Sequence, residues 1–249
     1  LAAVGPLVVP YQPNEQLLTA RSQPPSLDHW FGTDRLGRDV FSRVVAGARD
    51  IFLLAGGGTA LAVLLGTLTG LMAPTLGGWW DEITFRLYDT LLALPALLLA
   101  LLILGTIGPS RSSVLFVIAI AYTPIVARVV RSVVLSVKTR DWVAAARLQG
   151  ESLAWIVFRE ILPSVLPALA VESALRFSYA IFLVASLGFL GVGVQPPAPD
   201  WGLMVAEARN YVFTTPWTLA FPAAAISLLV IAVNLAADGL GRALQGETR

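Results

Sequence analysis

Long apolar stretches alternate with short polar segments along most of the chain. A helix needs about 20 apolar residues to cross the hydrocarbon of a bilayer. Five stretches reach that length, at residues 51–73, 79–107, 112–138, 163–190 and 216–237. The pattern therefore predicts an all-α membrane protein, a polytopic helical bundle.

The first ten residues are too few to form a span of their own. Residues 1–10 are mostly apolar, and they lack the basic start and the small-residue cleavage site of a signal peptide. We expect them to be the end of a first transmembrane helix that begins before Leu1, which would make about six transmembrane helices. Composition agrees, because 56% hydrophobic and only 13% charged residues are values outside those of soluble domains.

Composition also excludes several classes of protein. The chain has no cysteine, so no disulfide framework, thiolate metal site or thiol nucleophile is available. A net charge of +1 without a clustered basic surface argues against nucleic acid binding. The sequence has no G-x-x-x-x-G-K-[ST] loop, and its single lysine, Lys138, follows an apolar helix, so the chain does not itself hold ATP phosphates in that way.

The polar segment before the first complete span divides into two parts. Residues 11–31 are rich in Pro, Gln, Asn and Ser, which predicts an extended aqueous segment, and the lone His29 is expected at its surface rather than in a metal site. From residue 32 to residue 49 the apolar spacing is helical and Asp34 is a plausible N-cap, which predicts an amphipathic helix lying on the membrane. We therefore expect a boundary between residues 11–49 and a transmembrane domain at 50–249.

Charged residues inside the apolar stretches suggest ion pairs. Asp89 follows Arg86 by three residues, so a helical ion pair is a better prediction for it than a proton relay. Glu172 and Arg176 are four residues apart and share a helix face. Two interpretations of that pair stay open, a mutually satisfied pair between packed helices and a gate or substrate contact in a translocation path.

Other features of the spans predict helix packing. Gly66 and Gly70 form a small-xxx-small pattern, which favours close packing against a neighbouring helix over a dimer face. Pro124 predicts a bend in the third stretch. Arg128 and Arg131 are expected at the boundary of the membrane, where they would brace the segment that follows.

Residues 139–163 form a charged segment between two apolar stretches. The alanines from Ala144 to Ala146 predict a short helix with a nearly featureless face, and Gly150 predicts a sharp turn after it. Pro163 is expected in the first turn of the next span. The segment is either a surface on which another protein docks or an ordinary polar loop. The residues assigned to the docking surface are Asp141, Trp142, Ala144, Ala145, Ala146, Arg147, Gly150, Leu162 and Pro163.

This spacing resembles the EAA loop of ABC-importer permeases, whose pattern is Glu-Ala-Ala, three residues, Gly, nine residues, then Ile-x-Leu-Pro. Five positions match, namely Ala145, Ala146, Gly150, Leu162 and Pro163. Two depart from the pattern, since Ala144 replaces the glutamate and Glu160 replaces the isoleucine. The resemblance implies that the segment is the coupling helix that sits in a groove of a cytosolic ATPase.

Two further stretches resemble one subgroup of that family, the second permease subunit of dipeptide, oligopeptide and nickel importers. Residues 32–43 read GTDRLGRDVFSR, and residues 188–202 read GFLGVGVQPPAPDWG. The second stretch is rich in proline and glycine, which predicts a rigid outer turn, and Trp201 and Trp217 are expected to mark the interface. The residues assigned to contact with a binding protein are Gln195, Pro196, Pro197 and Trp201.

The resemblance implies a fold and a mechanism. The fold would be that of a type I ABC importer permease, a multi-pass protein of the cytoplasmic (inner) membrane with the loop at 139–163 in the cytosol. The bias of Lys and Arg is weak by itself, so the resemblance decides this orientation. The implied partners are a second, related permease, two nucleotide-binding domains that hold ATP and Mg, and an extracytoplasmic substrate-binding protein. The solute would be a di- or oligopeptide, and this chain would be non-catalytic, without a cofactor or metal of its own.

Two rival functions make different predictions. A secondary transporter or channel would use Asp89, Glu172 and Asp238 as ion sites, and its buried carboxylates would lack nearby cations. An intramembrane enzyme such as a protease would need a Ser/His pair, paired aspartates or a metal site in the membrane. The one histidine, His29, instead lies in the outer polar segment.

Overall fold

The computed structural model describes residues 9–246, with side chains described up to residue 243. The helices in that part of the chain are α1 (Val40–Leu76), α2 (Gly78–Leu92), α3 (Ala96–Ile107), α4 (Arg111–Val137), α5 (Asp141–Leu148), α6 (Leu153–Trp155), a π-helix (Ile156–Ile161), α7 (Leu162–Phe189), α8 (Trp201–Ala208) and α9 (Trp217–Gly246). Short 3-10 helices lie at Leu18–Ala20 and Arg209–Tyr211. The predicted first helix falls mostly on residues 1–8, outside the described residues.

Among the described residues, four helices are long and apolar enough to cross a membrane, namely Val40–Leu76, Arg111–Val137, Leu153–Phe189 and Trp217–Ala243. The pair α2 and α3 makes a fifth if it is counted as one broken span. The prediction of an all-α polytopic membrane protein is confirmed.

The second apolar stretch is not the single span that its composition predicted. Helices α2 and α3 meet at an angle of 89°. Pro95 lies at the break, and because a proline has no N–H and disfavours helical backbone in the residue before it, the helix ends ahead of it. The amide of Ala93 closes the last turn of α2 on the carbonyl of Asp89 at 3.0 Å. Apolar composition cannot distinguish this arrangement from one straight helix.

The predicted surface helix and the first span are one continuous helix, so no break in the helix separates them at residue 50. Helix α1 is continuous from Val40 to Leu76. Its N-cap is Asp39, whose carboxylate accepts the amide N–H of Ser42 at 2.7 Å. Asp34 instead accepts the amides of Leu36 and Arg38 and closes a preceding turn. A helix starting at Asp34 would include Gly37, whose φ of +75° is incompatible with helix.

The last helix extends further than expected. The last apolar stretch ends at residue 237, yet α9 continues to Gly246. The helix contains Pro222, five residues after it begins, and residues 238–240 lie on exposed helical turns. Polar residues at the end of an apolar stretch therefore mark the boundary of the apolar surface and not the end of the helix.

The chain divides into two compact units, each of which is described by itself. The first comprises the chain up to Gly58, Ala100–Val117 and Ser178–Ala232. The second comprises Thr59–Leu99, Ile118–Phe177 and the chain from Val233 onward.

In the first unit the early polar segment is folded and not extended in water. His29, expected at the surface, is 4% exposed, and its Nδ1 lies 2.9 Å from the carboxylate of Asp39. The ring of Tyr11 lies 4.7 Å from the imidazole, centroid to centroid. Because a buried imidazole requires a polar partner, the Asp39 carboxylate joins the segment to the N-terminus of α1.

In the second unit α1 packs closely against α4. A Cβ added to Gly66 would lie 2.7 Å from Cβ of Val126, and one added to Gly70 would lie 2.6 Å from the carbonyl oxygen of Ala127. Such distances leave no room for a side chain, so the interpretation of the two glycines as a packing surface is confirmed. Pro124 lies inside α4 without ending it.

Ion pairs in the second unit differ from those predicted. Arg86 binds Glu82 at 2.7 Å, four residues before it, while Asp89 binds Arg128 of α4. The predicted pair of Arg86 with Asp89 is therefore wrong in its partner. A one-helix pattern cannot reveal such pairs, because the cation comes from a helix 39 positions further along the chain.

Candidate functional site

The charged segment at 139–163 begins with a short helix that ends in a glycine turn. Helix α5 runs from Asp141 to Leu148, and Gly150 follows with φ +80°. The amide of Gly150 bonds to the carbonyl of Arg147 at 3.1 Å, and that of Glu151 bonds to Ala146 at 3.2 Å. These two bonds form a Schellman motif, which needs a left-handed residue after the helix. The predicted helix and turn are confirmed.

One face of α5 anchors the segment to the second unit. Val143 is 0% exposed and Ala146 is 6% exposed, and both belong to an apolar cluster with Val134 of α4 and Val157 and Ile161 of the π-helix. Ala146 had been assigned to the docking surface, and that assignment is corrected. Its small side chain allows α5 to lie close to the residues beneath it.

The opposite face of α5 is exposed, and we call it the α5 face. The predicted residues Asp141, Trp142, Ala144, Ala145 and Arg147 lie on it, together with Leu148. Trp142 is 48% exposed and Leu148 is 90% exposed. The sequence-based prediction missed Leu148. Its position one helical turn after Ala144, on a different face from Val143 and Ala146, could have indicated that it is exposed. An exposed aromatic and an exposed leucine on one short helix are typical of a surface that another protein covers.

After the turn, the chain enters a helix that continues into the next span. Ser152 caps it, accepting the amide of Trp155 at 3.2 Å, and the sequence Leu153–Phe189 is helical throughout. Pro163 is the second residue of α7, in its first turn as predicted, but α7 continues the helical run that begins at Leu153. The preceding turn is a π-helix in which the amide of Leu162 bonds to Val157, five residues back. The wider turn gives room for a ring that would otherwise clash with the carbonyl four residues earlier.

The other residues predicted for the docking surface, which follow the turn, are partly exposed. Leu162 is half-buried against the apolar cluster and Pro163 is exposed. Leu153 and Phe158 are also exposed, at 41% and 51%. Together with the α5 face, they give the segment 139–163 an exposed apolar surface that is bordered by charged residues.

Arg128 and Arg131 do not brace this segment as predicted. Arg131 makes a bidentate pair with Asp81 of α2, with Nε and Nη2 at 2.8 and 2.6 Å, and its guanidinium lies 4.5 Å from the centroid of the Phe85 ring. Both arginines therefore join α4 to α2. Lys138 contacts the carbonyl of Pro74 at 3.2 Å and joins the end of α4 to α1.

Glu172 and Arg176 form the ion pair that their spacing predicts. Their side chains are 2.7 Å apart and only 12% and 14% exposed, and the guanidinium lies 5.8 Å from the ring centroid of Tyr122. A buried carboxylate with an adjacent cation is electrically compensated. The pair is therefore compatible with both interpretations, a structural pair between packed helices and a gate. Asp89 forms an exposed ion pair with Arg128. Both Asp89 and Glu172 thus have a cation beside them, whereas an ion-coupled transporter is expected to have buried carboxylates without nearby cations.

The outer turn presents some of its predicted residues and buries another. Gln195, Pro196 and Pro197 are exposed. Trp201 is 5% exposed, and its indole N–H donates to the carbonyl of Val44 at 2.8 Å. Trp201, expected at an interface, is therefore buried in this structure and joins α8 to α1. Trp217 likewise donates to the carbonyl of Thr33 at 3.0 Å.

Asp200 holds the start of α8. Its carboxylate accepts the amide of Leu203 at 2.8 Å, and the residue is 4% exposed. Burial raises the pKa of Asp200 to about 6, the amides of Leu203 and Gly202 oppose that shift, and the charge of Asp50 adds to it. No cluster of three or more His, Asp or Glu that could hold a metal ion occurs among the described residues.

Comparison with known proteins identifies relatives of the whole chain. The model of the family described as binding-protein-dependent transport system inner membrane component matches residues 60–249. The dipeptide transport system permease protein DppC of Alkalihalophilus pseudofirmus is 41% identical over 98% of this chain and 80% of its own length. The di/tripeptide transport system permease protein DppC of Pseudomonas aeruginosa is 40% identical over 98% of this chain and 82% of its own length.

A solved structure shares the fold. The crystal structure of the MetNI methionine ABC transporter in inward-facing conformations contains a chain that aligns with a TM-score of 0.68 at 15% identity. The alignment covers 81% of this chain and 96% of that one. At this identity the likeness concerns the fold alone.

Proposed function

The chain belongs to the family of binding-protein-dependent transport system inner membrane components, and on that premise we propose that it is the permease subunit of an ATP-driven importer of short peptides. In this proposal the protein forms part of a path across the cytoplasmic membrane. Its partners supply the ATP hydrolysis and deliver the solute.

The observation that carries the proposal is the α5 face. Helix α5 is anchored through Val143 and Ala146, while Trp142 and Leu148 on its other side are exposed. A rigidly anchored helix with an exposed apolar face transmits the movement of whatever binds it, because the cluster beneath it is close-packed. We assign this face, with Gly150 and Pro163, to contact with a cytosolic ATPase.

Energy has to come from that partner. The sequence has no Walker-type phosphate loop, so ATP and Mg would be bound by two nucleotide-binding domains that meet the α5 face of this chain and of a second, related permease. The translocation path would lie between the two permeases. Glu172 and Arg176 are candidates for a gate in it, and Asp89 is a weaker candidate because its pair with Arg128 is exposed.

The choice of peptides rests on the relatives. Those named above are permeases of dipeptide and di/tripeptide transport systems at about 40% identity. The exposed part of the outer turn, Gln195, Pro196 and Pro197, is our candidate contact for the substrate-binding protein. Prolines restrict the backbone and so lower the entropy lost when a partner docks.

The experiment that tests the proposal is purification of the assembled transporter in lipid nanodiscs. An ATPase subunit should copurify with the chain, and a peptide-loaded binding protein should stimulate ATP hydrolysis more than the same protein without peptide. A preparation with no ATPase subunit, or with hydrolysis indifferent to every peptide-loaded binding protein, would contradict the proposal.

A further inference from the structure

The first unit contains a cavity of about 320 Å³ between the turn before α1 and helix α8. Ligand pockets begin at about 300 Å³, so the space suits a small organic molecule. Its walls include Arg35, Leu36, Arg38, Arg43, Met204 and Glu207. The cavity shares no residue with the α5 face, with the outer turn or with the pair Glu172 and Arg176.

One of the three arginines in this cavity is fully compensated. Arg38 binds Asp34 through Nε, and its Nη2 lies 2.8 Å from Glu207 of α8. Both carboxylates of the cavity wall are thus already engaged by a single guanidinium. The wall carries three positive and two negative charges, so it keeps an excess of one positive charge.

Arg43 is a buried cation that has no carboxylate partner within the described part of the chain. It is 1% exposed, and its Nη1 donates to the carbonyl of Pro13 and to the side-chain oxygen of Asn14, both at 3.3 Å. Among the described residues no carboxylate oxygen lies within 4.0 Å of its nitrogens. Two long bonds to neutral oxygens compensate a buried guanidinium poorly, because buried charges are ordinarily paired.

Arg35 is the second cation of this cavity to which none of the described carboxylates binds. Its side chain is exposed, and its guanidinium lies 3.8 Å from the centroid of the Tyr211 ring, a stacking that orients the group without neutralising it. By the same 4.0 Å criterion, it has no carboxylate partner in the described part of the chain. One accessible and one buried guanidinium therefore line the same cavity.

We propose that this cavity binds a small organic carboxylate, with Arg35 and Arg43 as the cations and the free C-terminus of a short peptide as the ligand. Guanidinium groups bind carboxylates in the planar, bidentate geometry that gives the strongest of such contacts. Leu36, Val40 and Met204 offer the apolar wall that the body of such a ligand requires. Glu207, bound to Arg38 through one oxygen, brings negative charge for the ligand's ammonium group.

The choice of a peptide among carboxylates rests on the proposed function. A dipeptide carries its carboxylate and its ammonium group at opposite ends, and the cavity provides both counter-charges. The site would hold peptide on its way to or from the translocation path.

Binding of dialanine to the assembled transporter in nanodiscs tests the inference, without binding protein or nucleotide. Saturation-transfer NMR should detect the dipeptide, and its amide, which lacks the carboxylate, should bind at least tenfold more weakly. Arg35→Gln should weaken dialanine binding at least fivefold without changing the fold, because the side chain is exposed. Arg43→Gln should abolish binding, with thermal unfolding as the check on its fold.

The matched control is Arg209→Gln. Arg209 is also exposed and also lies over an aromatic ring, 5.8 Å from the centroid of Phe189, but it does not line the cavity. It should bind dialanine as the parent protein does. Any of three results would overturn the inference: equal affinities for dialanine and its amide, equal dialanine affinities of Arg35→Gln and Arg209→Gln, or no dialanine binding by the parent protein.

A further arm separates a free peptide from an acidic side chain of a docked protein. If Arg35→Gln weakens docking of the peptide-free binding protein but leaves dialanine binding unchanged, the carboxylate belongs to that protein and the inference is wrong. Failure here is distinct from failure of the proposed function. If peptide stimulates ATP hydrolysis but dialanine binding does not depend on Arg35, only the proposed site is contradicted. If dialanine binding depends on Arg35 but peptide does not stimulate hydrolysis, the proposed importer function is contradicted.

Discussion

Arg131 of α4 holds Asp81 of α2 through two parallel bonds of 2.8 and 2.6 Å, while the neighbouring pair of Arg128 and Asp89 meets through a single nitrogen. The side chains of the first pair are 35% and 17% exposed, and those of the second are 50% and 60% exposed. The same two helices are thus joined by one sheltered bidentate pair and one exposed pair.

This difference predicts different coupling energies. A double-mutant cycle of Arg131→Ala and Asp81→Ala should give a coupling free energy of about 1–3 kcal/mol, because shielding from water and salt strengthens a bidentate pair. The matched cycle of Arg128→Ala and Asp89→Ala should give below about 1 kcal/mol, as exposed pairs do. Chemical unfolding in detergent measures both. Equal coupling in the two cycles would show that burial does not decide their strength.

Substitutions at Gly150 are expected to act through the backbone conformation of the turn and not through steric contacts. A side chain there would meet no atom within 4 Å, yet the residue has φ +80°. Gly150→Asn should preserve coupling of hydrolysis to uptake, because asparagine tolerates left-handed backbone. Gly150→Val should raise the ratio of ATP hydrolysed to peptide transported severalfold, because a β-branched residue disrupts the Schellman turn.

The measurement is ATPase activity and peptide uptake in the same proteoliposomes. Both variants should insert and assemble, since the change lies at the exposed end of α5. Uptake by Gly150→Val at the parent ratio would contradict the coupling role of the turn.

Gly70 predicts a packing defect at the contact of α1 and α4. A methyl group there would lie 2.6 Å from the carbonyl of Ala127 and 2.8 Å from Cβ of Val130. Gly70→Ala should lower the free energy of unfolding by about 1–3 kcal/mol, as overpacking does. Gly105→Ala is the control, because its methyl group would meet nothing within 4 Å, and it should be neutral or slightly stabilising. Thermal unfolding of both variants in detergent distinguishes them, and similar midpoints would refute the close approach.

Asp200 predicts a pH-dependent contribution to stability. Burial raises its pKa from 3.8 to about 6 in the folded protein, so between about pH 4 and pH 6 the folded state binds more protons than the unfolded state. Its effect on the free energy of unfolding is therefore most favourable below about pH 4, declines as pH rises to about 6, and is constant above that. The full decline is on the order of 3 kcal/mol.

Asp200→Asn keeps the side-chain oxygen that caps α8 and removes the charge. The variant should be more stable than the parent at pH 7, and the difference should shrink as pH falls from 6 to 4. Unfolding free energies of both proteins across this range provide the measurement. Parallel pH curves would mean that Asp200 is not the titrating group.

Helical structure was predictable from the sequence wherever the chain's own covalent chemistry decides it. The long apolar stretches appeared as helices, and the turn at Gly150 followed from a conformation that glycine adopts readily. Helix ends were less predictable, as at Asp34 and Asp39. Either aspartate can cap a helix, and only the hydrogen bonds of the folded turn select Asp39.

Side-chain burial in the candidate sites needed the structure. Trp201 resembled an interfacial tryptophan until its indole was found on the carbonyl of Val44, a bond between residues 157 positions apart. His29 became a core residue for a similar reason, through Asp39. Ala146 was indistinguishable from Ala144 and Ala145 until the apolar cluster showed which side of α5 is covered.

By itself, the sequence determined the membrane setting, the helical class, the family and the place of the turn at Gly150, because hydropathy, glycine and proline act locally along the chain. The tertiary structure decided the partners of Asp89 and Arg131, the burial of Trp201 and the cavity that holds Arg35 and Arg43. Those properties depend on which distant segments contact each other. The free energy of a charged group or an indole depends on its burial and its partners in those contacts more than on its neighbours in sequence.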